Sequence, residues 1–135
     1  MSTFRRTFFD FVNERGKNVI AEWLAELPVV HRARIQRTLI DLQAERFPSP
    51  TDMRSLTGGV KLLEVIVDVD GCAYRIFGYQ GPGAHEVTLL EGIEKKGWKK
   101  RWKERIPIAQ KRKDAVERAN GRKCAHDFNA GADRK

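Results

Sequence analysis

The sequence predicts an α+β domain: an N-terminal strand, a two-helix hairpin, a three-stranded antiparallel sheet and a C-terminal helix. Three observations carry that prediction. Apolar residues recur at helical spacing from Val19 to Leu42 and again beyond Gly97. Between these stretches, β-branched runs meet at Asp70-Gly71, a strong signal for a two-residue hairpin turn. The 135 residues suffice for one domain with a hydrophobic core and are too few for two domains.

The first strand is TFRRTFFDF (3–11), rich in aromatics and Thr, and it leads into the loop Asn13-Glu14-Arg15-Gly16. Val19, Ile20, Trp23, Leu24 and Leu27 then fall on one helical face, and Pro28 ends that helix and can open the next. In the second helix Val30, Ala33, Ile35, Leu39 and Leu42 give a looser stripe, with Arg32, Arg34 and Arg37 elsewhere on a solvated surface. FPSPTD (47–52) breaks the pattern with two prolines, and the two helices form an antiparallel hairpin.

Residues 60–93 hold three strands. With Asp70-Gly71 as the turn, residue 69 pairs with 72, 68 with 73 and 66 with 75. Leu63, Val65, Val67, Tyr74 and Ile76 then make an apolar face for the helices. Glu64, Ile66, Asp68, Ala73, Arg75 and Phe77 share the other face, which stays open. QGPGA (80–84) is a loop, and HEVTLLEGI (85–93) is the returning strand. Past Gly97, the residues Trp98, Trp102, Ile106, Ala109 and Val116 continue a helical stripe, kinked or broken at Ile106-Pro107. Residues 120–135 have no periodicity and read as a flexible basic tail behind a domain spanning 1–119.

Composition excludes several classes. The longest apolar runs are too short to span a bilayer, and the N-terminal residues lack the continuous apolar region of a signal peptide. Cys72 and Cys124, far apart and without metal-type spacing, fit free thiols in a reducing cytoplasm. The net charge of +8 is concentrated: residues 94–123 hold 13 Lys/Arg against four Asp/Glu, leaving the rest close to neutral. Such a block suits a polyanion, either nucleic acid or an acidic protein; the plainer alternative is a solvated basic helix and tail.

Four short segments occur in order: Leu62-Leu63-Glu64-Val65-Ile66, Tyr74-Arg75-Ile76-Phe77, Leu89-Leu90-Glu91-Gly92-Ile93 and Lys95-Lys96. With Ala109 and Arg112 as a final Ala-x-x-Arg element, the chain resembles the RelE/HigB family of toxins from toxin–antitoxin pairs, especially its phage-derived branch. The resemblance covers about residues 3–118. It implies a RelE-like fold and a toxin that binds at the ribosome. Such toxins cut mRNA without a metal or other cofactor, the RNA's own 2′-hydroxyl attacking the adjacent phosphate. It also implies an antitoxin partner of helix-turn-helix type.

That chemistry needs cations on the phosphate and groups that move protons. Arg75 matches the family's Tyr-Arg arginine, a bidentate phosphate ligand, and Lys95 and Lys96 match its lysine pair. Two positions depart from the pattern: Ile66 stands where the family has an arginine, and Glu91 where it often has histidine. Glu91 is a candidate general base or an ion-pair partner of Arg75, and Glu64 offers Arg75 a second such partner. Lys99, Lys100, Arg101 and Lys103 are the expected RNA contacts of the basic block, and Tyr79 either stacks on a base or packs inside. Trp98 and Trp102 read as core anchors, His31 and His85 as incidental, and Cys124-x-His126-Asp127 as too slight a pattern for a metal site.

Overall fold

The computed structural model describes residues 4–95, 102–119 and 122–129. Along the chain come β1 (Thr7–Phe11), α1 (Val19–Ala25), α2 (Val29–Ala44), β2 (Met53–Ser55), β3 (Leu63–Val69), β4 (Cys72–Gln80) and β5 (Glu86–Glu94). A 3-10 turn (Trp102–Arg105), α3 (Ile106–Ala119) and β6 (Lys123–Ala125) follow. The α+β class holds, but the expected three-stranded sheet does not. The sheet has six strands in the order β2-β3-β4-β5-β1-β6. β1 joins it by pairing parallel to β5, whereas the β2–β3, β3–β4, β4–β5 and β1–β6 ladders are antiparallel.

The two-helix hairpin is also corrected. α1 lies over β5 and β1, and α2 lies over β3 and β1, so each helix is held by the sheet rather than by the other. With seven residues, α1 is too short to offer a long helix–helix seam. Its Asn18 cap accepts from the Ala21 amide at 2.9 Å. The helices touch at their junction, where buried Arg32 donates to the carbonyls of Leu24 and Ala25 at 3.3 and 3.1 Å. Those contacts satisfy the open carbonyl end of α1. On α2 the buried stripe is Ile35, Leu39 and Leu42, while Val30 and Ala33 face outward.

The central hairpin forms in the register read from the turn, with Val69 opposite Cys72, Asp68 opposite Ala73 and Ile66 opposite Arg75. Asp70 (φ 51°) and Gly71 (φ 79°) both take the left-handed conformation that a tight two-residue hairpin turn requires. Leu63, Val65, Val67, Tyr74 and Ile76 pack beneath α1 and α2 with Ile20, Leu24, Ile35, Leu39 and Leu42. A Cβ on Gly92 would lie 2.3 Å from Trp23 Cε3, so the missing side chain is what lets α1 settle onto β5.

The opposite face is only partly open, because α3 covers it. Phe11, Phe77, Tyr79 and Leu90 form a second core with Ala109 and Val116 of α3. A register shift assists. Phe77 faces Glu91 but Gly78 faces Leu89, so β5 carries Leu90 as an extra residue. The consecutive residues Leu90 and Glu91 thereby both serve α3. Pro107 sits in the first turn of α3, where a missing amide costs nothing, and the expected break is the passage from 3-10 turn to helix.

The stretch that reads as a tail supplies β6, whose residues 123–125 pair with Phe11, Asp10 and Phe9. Just beyond it, His126 is buried, its Nδ1 2.7 Å from Asp10 Oδ1 and its Nε2 2.8 Å from Gln36 Oε1. Among the described residues, no helix is long and apolar enough to cross a membrane.

Candidate nucleic-acid interface

Arg75 lies mid-strand on β4, with Ile66 of β3 on one side and Ile93 of β5 on the other. Neither carboxylate expected as its partner is the one it meets. Its Nη1 donates to Asp68 Oδ1 at 3.2 Å and to the Tyr74 carbonyl at 2.8 Å. The Arg75 side chain is 12% exposed, whereas that of Asp68 is 67% exposed. A rigid, largely covered guanidinium thus has a solvated carboxylate as its ion-pair partner.

Glu64 is fully buried and accepts from Arg54 Nε at 2.7 Å, and its Oε2 has no hydrogen-bond partner among the described residues. Glu91 is buried where α3 crosses β5. Arg112 Nη1 donates to Glu91 Oε1 at 2.7 Å and to the Leu90 carbonyl at 2.8 Å, with its guanidinium 5.3 Å from the Phe11 ring. From the 3-10 turn, Arg105 Nε donates to Glu91 Oε2 at 2.6 Å, and its Nη2 meets the same oxygen. Both carboxylate oxygens are therefore engaged by guanidinium groups. Two arginines against one carboxylate leave this cluster with a net positive charge.

The remaining expected residues separate. Lys95 follows β5 directly, and its amide donates to the Ala73 carbonyl at 2.6 Å, which places it one row beyond Arg75 on the hairpin side. Lys103 is exposed on the 3-10 turn. Lys96, Lys99, Lys100 and Arg101 lie outside the described residues, as does Trp98. Tyr79 is buried beneath α3, its ring 5.3 Å from Lys113 Nζ, so it is a core residue and not a surface for stacking a base. Burial pushes its phenol pKa up, and burial pushes that of Tyr74 up to about 12. His31 is a structural partner of Tyr74, its Nδ1 2.6 Å from the hydroxyl. His126 is committed to Asp10 and Gln36, and Cys124 Sγ accepts from Asn18 at 3.4 Å.

Arg105 is the residue that sequence reasoning missed. It looked like one more charge in a basic block, and only the arrival of α3 on β5 gives it a partner. The same holds for Arg15, Lys17, Arg118 and Arg122, which line a groove of about 830 Å³ between the β1–α1 loop and α3.

No curated protein and no solved structure matches the chain. The profile of a family described as phage-derived protein Gp49-like matches residues 22–114, from α1 into α3, and that span contains Arg75, Glu91, Arg105 and Arg112. With 93 of 135 residues matched, this protein belongs to the phage-derived Gp49-like family, within the RelE/ParE-like toxin superfamily.

Proposed function

We propose that this protein is the toxin of a toxin–antitoxin pair, of the HigB-like branch, and that it cleaves mRNA at the ribosome in the cytoplasm. Its partner is an antitoxin, expected to be a helix-turn-helix repressor. The observation that carries the reading is the state of Arg75: fixed on a central strand and paired with an exposed carboxylate. An ion pair with a solvated partner contributes about 0–1 kcal/mol, so a phosphate can replace Asp68 at little cost. In the reaction the RNA 2′-oxygen bonds to phosphorus, the 5′-oxygen leaves, and one proton passes from the first to the second. Arg75 holds the non-bridging oxygens as their charge grows, and Lys95 and Lys96 add to the positive field.

Glu91 is the wrong group for the proton. Both its oxygens already accept from Arg105 and Arg112. We assign it a positioning role, holding the two guanidinium groups against the sheet.

A second reading, RNA or protein binding without cleavage, is favoured by Ile66, which leaves Arg75 without a second cation across the strand. One experiment separates the two. The gene is induced with and without its neighbouring reading frame, as wild type and as Arg75→Ala, and mRNA 5′ ends are mapped. Cleavage predicts growth arrest with new internal ends, relieved by the neighbour and absent in Arg75→Ala at unchanged thermal stability. Arrest or ribosome association without new ends supports the binding reading.

A further inference from the structure

The groove between the β1–α1 loop and α3 is lined mainly by cations. Arg15 and Lys17 stand on the loop wall, Lys111, Arg112 and Arg118 on the helix wall, and Arg122 at the end leading to β6. Against these six cations it holds two carboxylates, Glu14 and Glu22, the latter 3.9 Å from Lys17 in an exposed pair. The loop wall is a built feature. Asn13 Oδ1 accepts from the amides of Arg15 and Lys17 at 2.9 and 3.0 Å, which fixes the turn that carries both cations.

We propose that this groove is a second RNA site, separate from Arg75, that binds the phosphodiester backbone of a single strand. Cations on both walls suit a ligand with a charge at every repeat. The apolar floor is small, essentially Phe11 and Ala115, and Arg112 already covers the Phe11 ring. An acidic amphipathic helix would find little surface there for its apolar side, which disfavours a protein ligand. The groove meets the Glu91 cluster through Arg112, so α3 presents cations to both sites. The inference rests on the RNA-directed reading above, but its test does not depend on cleavage.

Arg15, Lys17, Lys111 and Arg118 are all exposed, so neutralising them leaves both cores intact. The experiment measures binding of a labelled single-stranded oligoribonucleotide to the purified protein across a salt series. The variants are Arg15→Gln/Lys17→Gln/Lys111→Gln/Arg118→Gln and a charge-keeping Arg15→Lys/Arg118→Lys. The fourfold variant should bind on the order of 10- to 100-fold more weakly, with a log–log salt slope shallower by up to about 3. The charge-keeping variant should bind like wild type. Groove-dependent binding without any cleavage by the wild type would uphold the groove while sinking the nuclease reading. Wild-type affinity and slope in the fourfold variant, at matching thermal stability, would overturn the groove. So would displacement of the RNA by polyglutamate as readily as by unlabelled RNA.

Discussion

Glu91→Gln tests the organisation of the interface most directly, because it keeps the side chain's shape and removes only its charge. Glu91 is buried, with its carboxylate 8% exposed, while the Arg112 and Arg105 side chains are 24% and 45% exposed. Arg105 can return to water when its partner is lost, so its share is that of a surface pair, about 0–1 kcal/mol. Arg112 cannot leave as easily, since it lies over Phe11 and remains bonded to the Leu90 carbonyl. Its lost charge-assisted bond is worth about 1.5–3 kcal/mol. The two together give roughly 1.5–4 kcal/mol of lost stability. At about 3–4 °C per kcal/mol for a chain between the small and mid-sized classes, Tm should fall by roughly 5–16 °C.

The second readout is RNA binding. Releasing Arg105 and Arg112 from their anchor should weaken it severalfold at low salt, although the variant carries one negative charge fewer. Far-UV circular dichroism melts and a salt series on the same preparation give both numbers. A Tm within about 1 °C of wild type would refute the counter-ion role. A variant that melts normally and binds RNA normally, yet no longer cuts mRNA, would return Glu91 to the role of proton carrier.

Two further outcomes follow from buried groups. His126→Ala strips a buried partner from Asp10 and Gln36, leaving Asp10, among the described residues, the bond from Asn18 at 2.8 Å. The cost is about 3–5 kcal/mol, and hydrogen exchange should show the β6 amides losing protection well before those of the β3–β4 hairpin. Unchanged protection of residues 123–125 would mean that His126 does not hold β6. The chain's two tyrosines, Tyr74 and Tyr79, both have phenol pKa values raised mainly by burial, Tyr74 to about 12. An alkaline titration of the folded protein should therefore show no tyrosinate step near pH 10. The unfolded chain ionises there, at about pH 10, and so binds fewer protons than the folded one; stability falls as pH rises from 10 toward 12. Two tyrosinates appearing near pH 10 with the fold intact would contradict the burial.

Legibility in the sequence followed the range of the signal. The β3–β4 hairpin was readable to the residue because Asp70-Gly71 fixes a turn type, and the turn type fixes the register. The core of α2 was readable at Ile35, Leu39 and Leu42, but Val30 and Ala33 belonged to a different face, since a loose stripe does not fix the rotation of a helix. β2 and β6 have three residues each, too few for any alternation to show, and β6 lies among polar residues that resemble a tail. The pairing of β1 with β5 joins residues about 80 positions apart, which no local pattern encodes. The same limit applied to the interface. Arg75 and Glu91 could be picked out from short motifs, but their partners could not, because Asp68 is diagonal across the hairpin and the arginines of Glu91 arrive from α3.

Those arginines bear on the two departures from the family pattern. Taken singly, Ile66 removes a cation from the sheet and Glu91 adds a carboxylate, and each weakens a phosphate site. Taken with the helix, the balance differs. Glu91 brings Arg105 and Arg112 onto β5, so a single buried carboxylate anchors two guanidinium groups beside the strand that faces Arg75. Ile66 and Ile93 meanwhile flank Arg75 with apolar side chains, which exclude water from its sides and strengthen its attraction for a phosphate that reaches it. The positive charge has moved from the sheet to the helix. On this arrangement, the interface depends on how α3 docks: loosening Ala109 or Val116, which touch no RNA in this reading, should weaken RNA binding by releasing the arginines that Glu91 holds. A homologous site built on two sheet arginines would not share that sensitivity.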